Sequence, residues 1–182
     1  MLIRRETAAD IAAVEALHRA AFGDDGRVSR LVSMLRDAPA PLPPLSFVVT
    51  ADGAVVGHTM LSASRLDAPH RLVDVYVLSP LGVLPSHQRR GIGTRLISAA
   101  LTAAEQSGVP LVFLEGSPQY YASRGFQRAS PMGMRAPSLR IPDPAFQVAP
   151  LASYEPWMTG TLVYSEPFWA LVCVGLREAE SG

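Results

Sequence analysis

Lysine is missing from this chain: all 16 basic residues are arginine. Walker-A phosphate loops, protein-kinase catalysis and Schiff-base chemistry all need a lysine amine and are excluded. Asparagine is also missing, while proline is plentiful, as in a GC-rich coding sequence. Cysteine occurs once, at Cys173, which excludes an internal disulfide and a cysteine-based zinc site. In the apolar run Phe168-Trp169-Ala170-Leu171-Val172-Cys173-Val174 this thiol reads as a buried core residue rather than a nucleophile. Charge of one sign does not dominate either. Sixteen acidic residues balance the 16 basic ones, so nothing draws the chain to nucleic acid or to a membrane surface. No apolar run approaches the ~20 residues of a membrane span. Met1-Leu2-Ile3-Arg4-Arg5-Glu6-Thr7 lacks the apolar core of a signal peptide. The expectation is a soluble, cytoplasmic protein. No metal site is expected, since His18, His70 and His87 fall in different elements with no H-E-x-x-H spacing. There is no G-x-S-x-G elbow.

What is present is a globular composition. Hydrophobic residues make up 48 % of the 182, charged residues 18 %. That length and composition predict one domain, residues 1–182, with a core of its own. Leu2 to Glu6 reads as a strand. Thr7-Ala8-Ala9-Asp10 then resembles a capping box, followed by Ile11, Val14, Leu17, Ala20 and Ala21 at helical spacing. A second helix, Val28 to Leu35, ends at the proline-rich Pro39 to Pro44. Ser46 to Thr50 and Ala54 to Ala63 read as a hairpin through Asp52-Gly53. Arg71 to Leu84 is a β-branched stretch broken by Ser79-Pro80, a candidate bulge or edge. Arg90 to Gln106 is the clearest helix, with Ile92, Leu96, Ile97, Ala100, Leu101 and Ala104 on one face and Gly108 as the stop. Val109 to Glu115 reads as a buried strand and Pro118 to Arg124 as a short helix closed by Gly125. Gly160 to Tyr164 and Phe168 to Leu176 read as strands. Exposure of that last apolar stretch would indicate a homodimer, and a buried strand explains it equally well.

The chemistry concentrates in Leu81-Gly82-Val83-Leu84-Pro85-Ser86-His87-Gln88-Arg89-Arg90-Gly91-Ile92-Gly93-Thr94. A strand enters a glycine turn that opens a long helix. The first-turn amides lack intrahelical partners, and the helix dipole favours an anion there. Glycine lets backbone approach a phosphate closely, Thr94 adds a hydroxyl, and Arg89 and Arg90 add positive potential. A Rossmann site would need Gly or Ala where Leu96 stands, and its glycines on the first strand. The pattern that remains is Q-x-x-G-x-G, read as Gln88, Gly91 and Gly93.

With these pieces in order, the chain resembles the GNAT N-acetyltransferase superfamily, and in particular its YhbS-like branch. The resemblance is carried by "LGVLPSHQRRGIG", the long helix, the buried strand and "PQYYASRGF". It is also carried by "AFGDDGRVSRLVSMLR", "DGAVVGH" and "GTLVYSEPFWAL", so it covers nearly the whole chain. The resemblance implies an α/β (α+β) fold: a bent, mixed, mostly antiparallel sheet flanked by helices and splayed at the acetyl-CoA strand. It implies acetyl-CoA as acyl donor, with the pyrophosphate on the amides of Arg89 to Thr94, that is Arg89, Arg90, Gly91, Ile92, Gly93 and Thr94. The pantetheine arm pairs with Leu81, Gly82 and Val83, and an amide near Val83 polarises the thioester carbonyl. Tyr121, four residues before Gly125, matches the family's tyrosine at the CoA sulfur, and Tyr120 next to it is expected to face elsewhere. The family's asparagine before that tyrosine is missing; the region reads Leu114-Glu115-Gly116-Ser117. Glu115 is the first candidate for general base, with His58, Asp74 and a water chain as alternatives. The implied reaction is direct attack of a primary amine, on a small molecule or a peptide, in a ternary complex. A non-catalytic acyl-CoA-binding module stays open. So does transfer of another acyl group, for which Arg65, Arg71 and Arg124 are candidate cations.

Overall fold

The computed structural model describes residues 1–38 and 41–175. Its spine is one sheet in the order β1-β2-β3-β4-β5-β8-β6. The strands are β1 (Leu2–Arg5), β2 (Leu45–Ala51), β3 (Ala54–Asp67), β4 (Leu72–Val83), β5 (Leu111–Glu115), β6 (Gln127–Arg128), β7 (Met134–Arg135), β8 (Phe146–Pro150) and β9 (Gly160–Val163). β9 runs antiparallel to the far end of β3 and parallel to β7. The pairings within the main order are antiparallel except β4 with β5. The sheet is therefore mixed and mostly antiparallel. Helices α1 (Ile11–Phe22), α2 (Arg27–Asp37) and α5 (Glu166–Ala170) serve one face; α3 (Ile92–Gln106) serves the other. The short α4 (Pro118–Tyr121) follows β5. Among the described residues no helix is long and apolar enough to cross a membrane.

Local chemistry accounts for most boundaries. The Asp10 carboxylate accepts the Thr7 N–H at 2.8 Å, and Arg4 grips it with both guanidinium nitrogens at 2.7 and 2.8 Å. Asp52 and Gly53 both take positive φ, at 50° and 80°, the geometry that a two-residue hairpin requires. The long β3 outruns its expected end at Ala63 because β4 and then β9 continue its ladder.

Two expectations change. On α1 the buried stripe is Val14, Leu17 and His18, while Ala20 is exposed. A buried polar group on a helix face is invisible to an apolar count. Phe168 to Leu176 is not a strand: Ser165-Glu166-Pro167 starts α5, which ends in a turn, and Leu176 lies outside the described residues. Pro167 suits a first helical turn because its missing N–H has no intrahelical role there. Cys173 is consequently half-buried rather than in the core, with burial pushing its thiol pKa up.

Beneath α1 and α2 lies a buried polar cluster of Glu6, Arg36, Ser46, His58 and His18. Burial alone would raise the Glu6 pKa, but hydrogen bonds from His58, Ser46 and Arg36 outweigh it and hold the carboxyl at about 2, against 4.5 unperturbed. A lowered folded-state pKa gives stability that is complete above pH 4.5 and lost as pH falls toward 2. His18 and His58, buried and held neutral, are protonated only in the unfolded chain once pH drops below about 6.5, so the melting temperature should begin to fall there and fall further below pH 4.5 as Glu6 adds its share. In Glu6→Gln the acid fall should be shallower, which a series of thermal melts across pH would check.

Candidate functional site

The cleft begins where two strands part. β4 and β5 pair only through Tyr76 with Val112 and Val77 with Phe113. Beyond them β4 continues from Leu78 to Val83 with its β5-side edge free. The parting coincides with a bulge: Ser79 and Pro80 together oppose Met60. Two residues facing one bend a strand and sharpen its twist. The Thr59 hydroxyl secures the bulge by donating to the Pro80 carbonyl at 3.0 Å. Leu84 N–H bonds the Val56 carbonyl on β3. In an antiparallel ladder the preceding residue then turns its own N–H and C=O the other way. Val83 thus offers its amide to the free edge, and its carbonyl accepts the Gln88 side-chain amide at 3.2 Å.

After Val83 a short turn over Pro85–His87 leads to Arg89 at φ 61° and Gly91 at φ 76°, and α3 starts at once. Arg95 N–H makes the first return bond, to the Gly91 carbonyl. The amides of Ile92, Gly93 and Thr94 precede it, so they are the donors with no intrahelical carbonyl. Gly91 has open space around its Cα, with no heavy atom within 4 Å of an added Cβ. An arginine held in the left-handed region costs on the order of 1–2 kcal/mol, a form of strain that concentrates at functional sites.

The far wall is α4 and the turn after it. The cavity has a volume of about 490 Å³ and is lined by Leu81, Val83, Gln88, Arg89, Gly91, Ile92, Thr94, Tyr120, Tyr121 and Arg124. Tyr121 fits because residue 116 is glycine: an added Cβ there would lie 2.5 Å from its ring. Burial, with Tyr120 beside it, pushes the Tyr121 pKa up to about 12. It is a neutral phenol at any physiological pH, a donor with no partner among the described residues. Tyr120 corrects the sequence reading. Its ring stands edge-on to Tyr121 at 4.9 Å, and an added Cβ on Gly93 would meet its hydroxyl. Adjacent rings both reach the cleft because α4 lasts a single turn at the cleft's corner. Arg124 was legible only as a loose cation. Its guanidinium stacks 3.9 Å over the Tyr120 ring, bonds the Tyr120 carbonyl and donates to Thr94 Oγ1 at 2.9 Å. The four-residue spacing from Tyr120 is the signal that could have paired them.

Of the residues expected at the site, Arg90 points to solvent and Gly82 faces α1. Glu115 is not brought to the cleft. It shares the face of Phe113, opposite that of Leu114, and its carboxylate accepts from the Tyr164 hydroxyl at 3.2 Å and Gly175 N–H at 2.9 Å. Burial raises its pKa. A side chain at the end of a two-faced strand must choose a face, and the spacing of Glu115 selects the one away from Tyr121. Asp74 sits at the surface, 3.5 Å from Arg65. His58 lies in the buried cluster under α1.

Three comparisons bear on this arrangement. A family model described as an acetyltransferase (GNAT) domain matches residues 2–129. The uncharacterized N-acetyltransferase YjhQ of Escherichia coli is 31 % identical over 123 residues, covering 68 % of this chain and 66 % of that protein. The structure of the Escherichia coli GNAT family N-acetyltransferase YhbS, in complex with CoA, superposes with a TM-score of 0.81 at 29 % identity. It covers 92 % of this chain and 91 % of the other. A GNAT family acetyltransferase from Brucella melitensis, in complex with acetyl-CoA, gives 0.73 at 28 % identity, covering 92 % and 97 %.

Proposed function

The chain belongs to the GNAT acetyltransferase family, and from that premise we propose that it binds acetyl-CoA in the β4–β5 cleft and transfers the acetyl group to a primary amine. The observation that carries this reading is the free edge of β4 running straight onto the open N-terminus of α3, with Tyr121 over the junction. The reading takes residues 1–182 as one catalytic unit.

Each part of the donor finds a matching surface. The pyrophosphate lies on the amides from Arg89 to Thr94, where the helix dipole and Arg89 favour negative charge. Arg124, already over Thr94, supplies a second cation at the mouth. The pantetheine arm pairs with β4 along Leu81 to Val83, replacing the bonds that β5 does not make. The Val83 amide then points at the thioester carbonyl and stabilises the oxyanion that forms on attack. Tyr121 donates its hydrogen bond to the departing sulfur. Its raised pKa makes it a stabilising donor to the thiolate rather than a group that surrenders its proton. Attack is direct, because the half-buried Cys173 thiol does not line the cleft.

Isothermal titration tests the donor half. Acetyl-CoA and CoA should bind, and NADH should not. Turnover is then read as thiol release with a polyamine, an aminoglycoside and short peptides as acceptors. Silence toward acetyl-CoA at millimolar concentration would remove the reading; binding without acetylation of any amine would leave an acyl-CoA-binding protein.

A further inference from the structure

The turn before α3 carries two glycines, and they are glycine for different reasons. Gly91 stands at φ 76° with open space around it. Gly93 is the second residue of α3 and has no positive φ, so alanine would be the better helix former there. What excludes a side chain is Tyr120. Its hydroxyl, carried on α4 at the far wall of the cleft, occupies the place of the missing Cβ. The ring carbon that bears the hydroxyl lies 3.4 Å from that place and Leu81 Cδ2 lies 3.8 Å from it, both ordinary contacts. The hydroxyl alone forbids a methyl group.

That place is the mouth of the helix. Every Cα–Cβ bond in a helix tilts toward its N-terminus. The amides of Ile92, Gly93 and Thr94 point the same way, ahead of the first return bond from Arg95 to Gly91. The Tyr120 hydroxyl therefore joins three backbone donors at one end of α3, and among the described residues it has no hydrogen-bond partner of its own. Arg124 fixes the ring there. Its guanidinium lies 3.9 Å from the ring centroid, donates to the Tyr120 carbonyl and reaches Thr94 Oγ1 at 2.9 Å, so one cation ties the ring to both walls. Tyr121, edge-on at 4.9 Å, rests on Gly116 at the end of β5, whereas Tyr120 rests on Gly93 at the start of α3. The two adjacent phenols thus serve different parts of the cleft.

We propose that the Tyr120 hydroxyl hydrogen-bonds the pyrophosphate of acetyl-CoA from the wall opposite the α3 amides, and that residue 93 is glycine to leave that hydroxyl its place. The inference rests on the acetyl-transfer reading above and adds a specificity element to it. Amides at a helix mouth accept any small anion. A hydroxyl and a guanidinium brought in from α4 make the site two-sided. A diphosphate has oxygens enough to take both sets of donors at once.

Isothermal titration of acetyl-CoA into wild type, Tyr120→Phe, Gly93→Ala and the double variant tests both halves. Tyr120→Phe keeps the ring, its contact with Tyr121 and the stacked Arg124. It should bind about tenfold more weakly, the low end for one hydrogen bond to a charged group. Gly93→Ala should lose about as much, because its methyl group evicts the hydroxyl. The double variant should bind no more weakly than Tyr120→Phe, since phenylalanine leaves only the 3.4 Å contact. Wild-type affinity in Tyr120→Phe, or losses that add in the double variant, overturns the proposal. Adenosine 5′-diphosphate carries the diphosphate without the thioester arm and shows which part of the donor is read. Tyr120→Phe should bind it about tenfold more weakly than wild type does. Equal affinity, or no binding of it by a wild type that binds acetyl-CoA, overturns the proposal as well. A wild type that binds adenosine 5′-diphosphate and not acetyl-CoA would instead remove the acetyl-transfer reading, and the ratio between wild type and Tyr120→Phe for that probe would then decide the Tyr120 assignment alone.

Discussion

Tyr121→Phe should keep acetyl-CoA affinity within a few-fold of wild type and lower turnover by about 100-fold, the low end of what removing one preorganised hydrogen-bond donor to a developing anion costs. The structure makes this a clean substitution. The Tyr121 hydroxyl has no partner among the described residues, and the ring is held by Gly116 beneath it and by Tyr120 and Phe126 edge-on at 4.9 and 5.7 Å. A phenylalanine keeps every one of those contacts, so the fold and the cofactor surface stay as they are. The pH profile adds a second reading. With the phenol at about 12, wild-type activity should not decline through Tyr121 ionisation below about pH 11. Steady-state rates of thiol release from pH 6 to 10, for both proteins, would check this. Equal rates at every pH would show that water or another group attends the sulfur.

Gly91→Asp should weaken acetyl-CoA binding by about 100-fold or more, and Gly91→Ala by far less. At φ 76° any side chain pays a backbone penalty of about 1 kcal/mol, common to both variants. No atom stands within 4 Å of the added Cβ, so steric clash with the protein contributes nothing. The difference between the variants is therefore charge. A carboxylate about 4 Å from a phosphate costs on the order of 4 kcal/mol at the effective dielectric of a protein surface. Screening and the openness of the loop lower that to the 2–3 kcal/mol that 100-fold requires. Titrating both variants at low and moderate salt would separate the terms. The aspartate penalty should shrink with salt and the alanine penalty should not. Equal affinities for the two variants would put the phosphates elsewhere.

Much of this site was legible because its signals are local. A glycine in the left-handed region, a strand running into a helix and a tyrosine four residues before a glycine each depend on a few consecutive residues. Gly91, Ile92, Thr94, Gln88 and Tyr121 were read that way and do line one cleft. Ser79-Pro80 was read as a bulge or an edge on the same footing, and it is a bulge. The readings that changed all concern which way a side chain faces at an element's end, or what a distant segment does to it. Glu115 is one residue past a buried stretch, and strand alternation sends it away from the cleft. Tyr120 was assigned away from Tyr121 by helical spacing, a rule that a single-turn helix at a corner does not obey. The segment after Ser165 has strand composition, but Pro167 at a helix start outweighed it.

The sequence by itself determined the family, the order of strands and helices from β1 through α4, the glycine turn that opens α3, and the exclusion of lysine and internal-disulfide chemistry. Those follow from composition and from patterns shorter than one element. Tertiary structure decided the rest. Only the sheet order sets β4 free of β5 beyond Val77, and only the packing of α1 brings His18 against Gly82, 64 residues later in the chain. The pairing of His18 with His58 likewise spans 40 positions. Hydrogen-bond chains of this kind join residues by closing long loops, and no local propensity or periodicity encodes which loop closes on which. The physical reason is that a buried polar group is specified by its partners, and its partners are chosen by the fold.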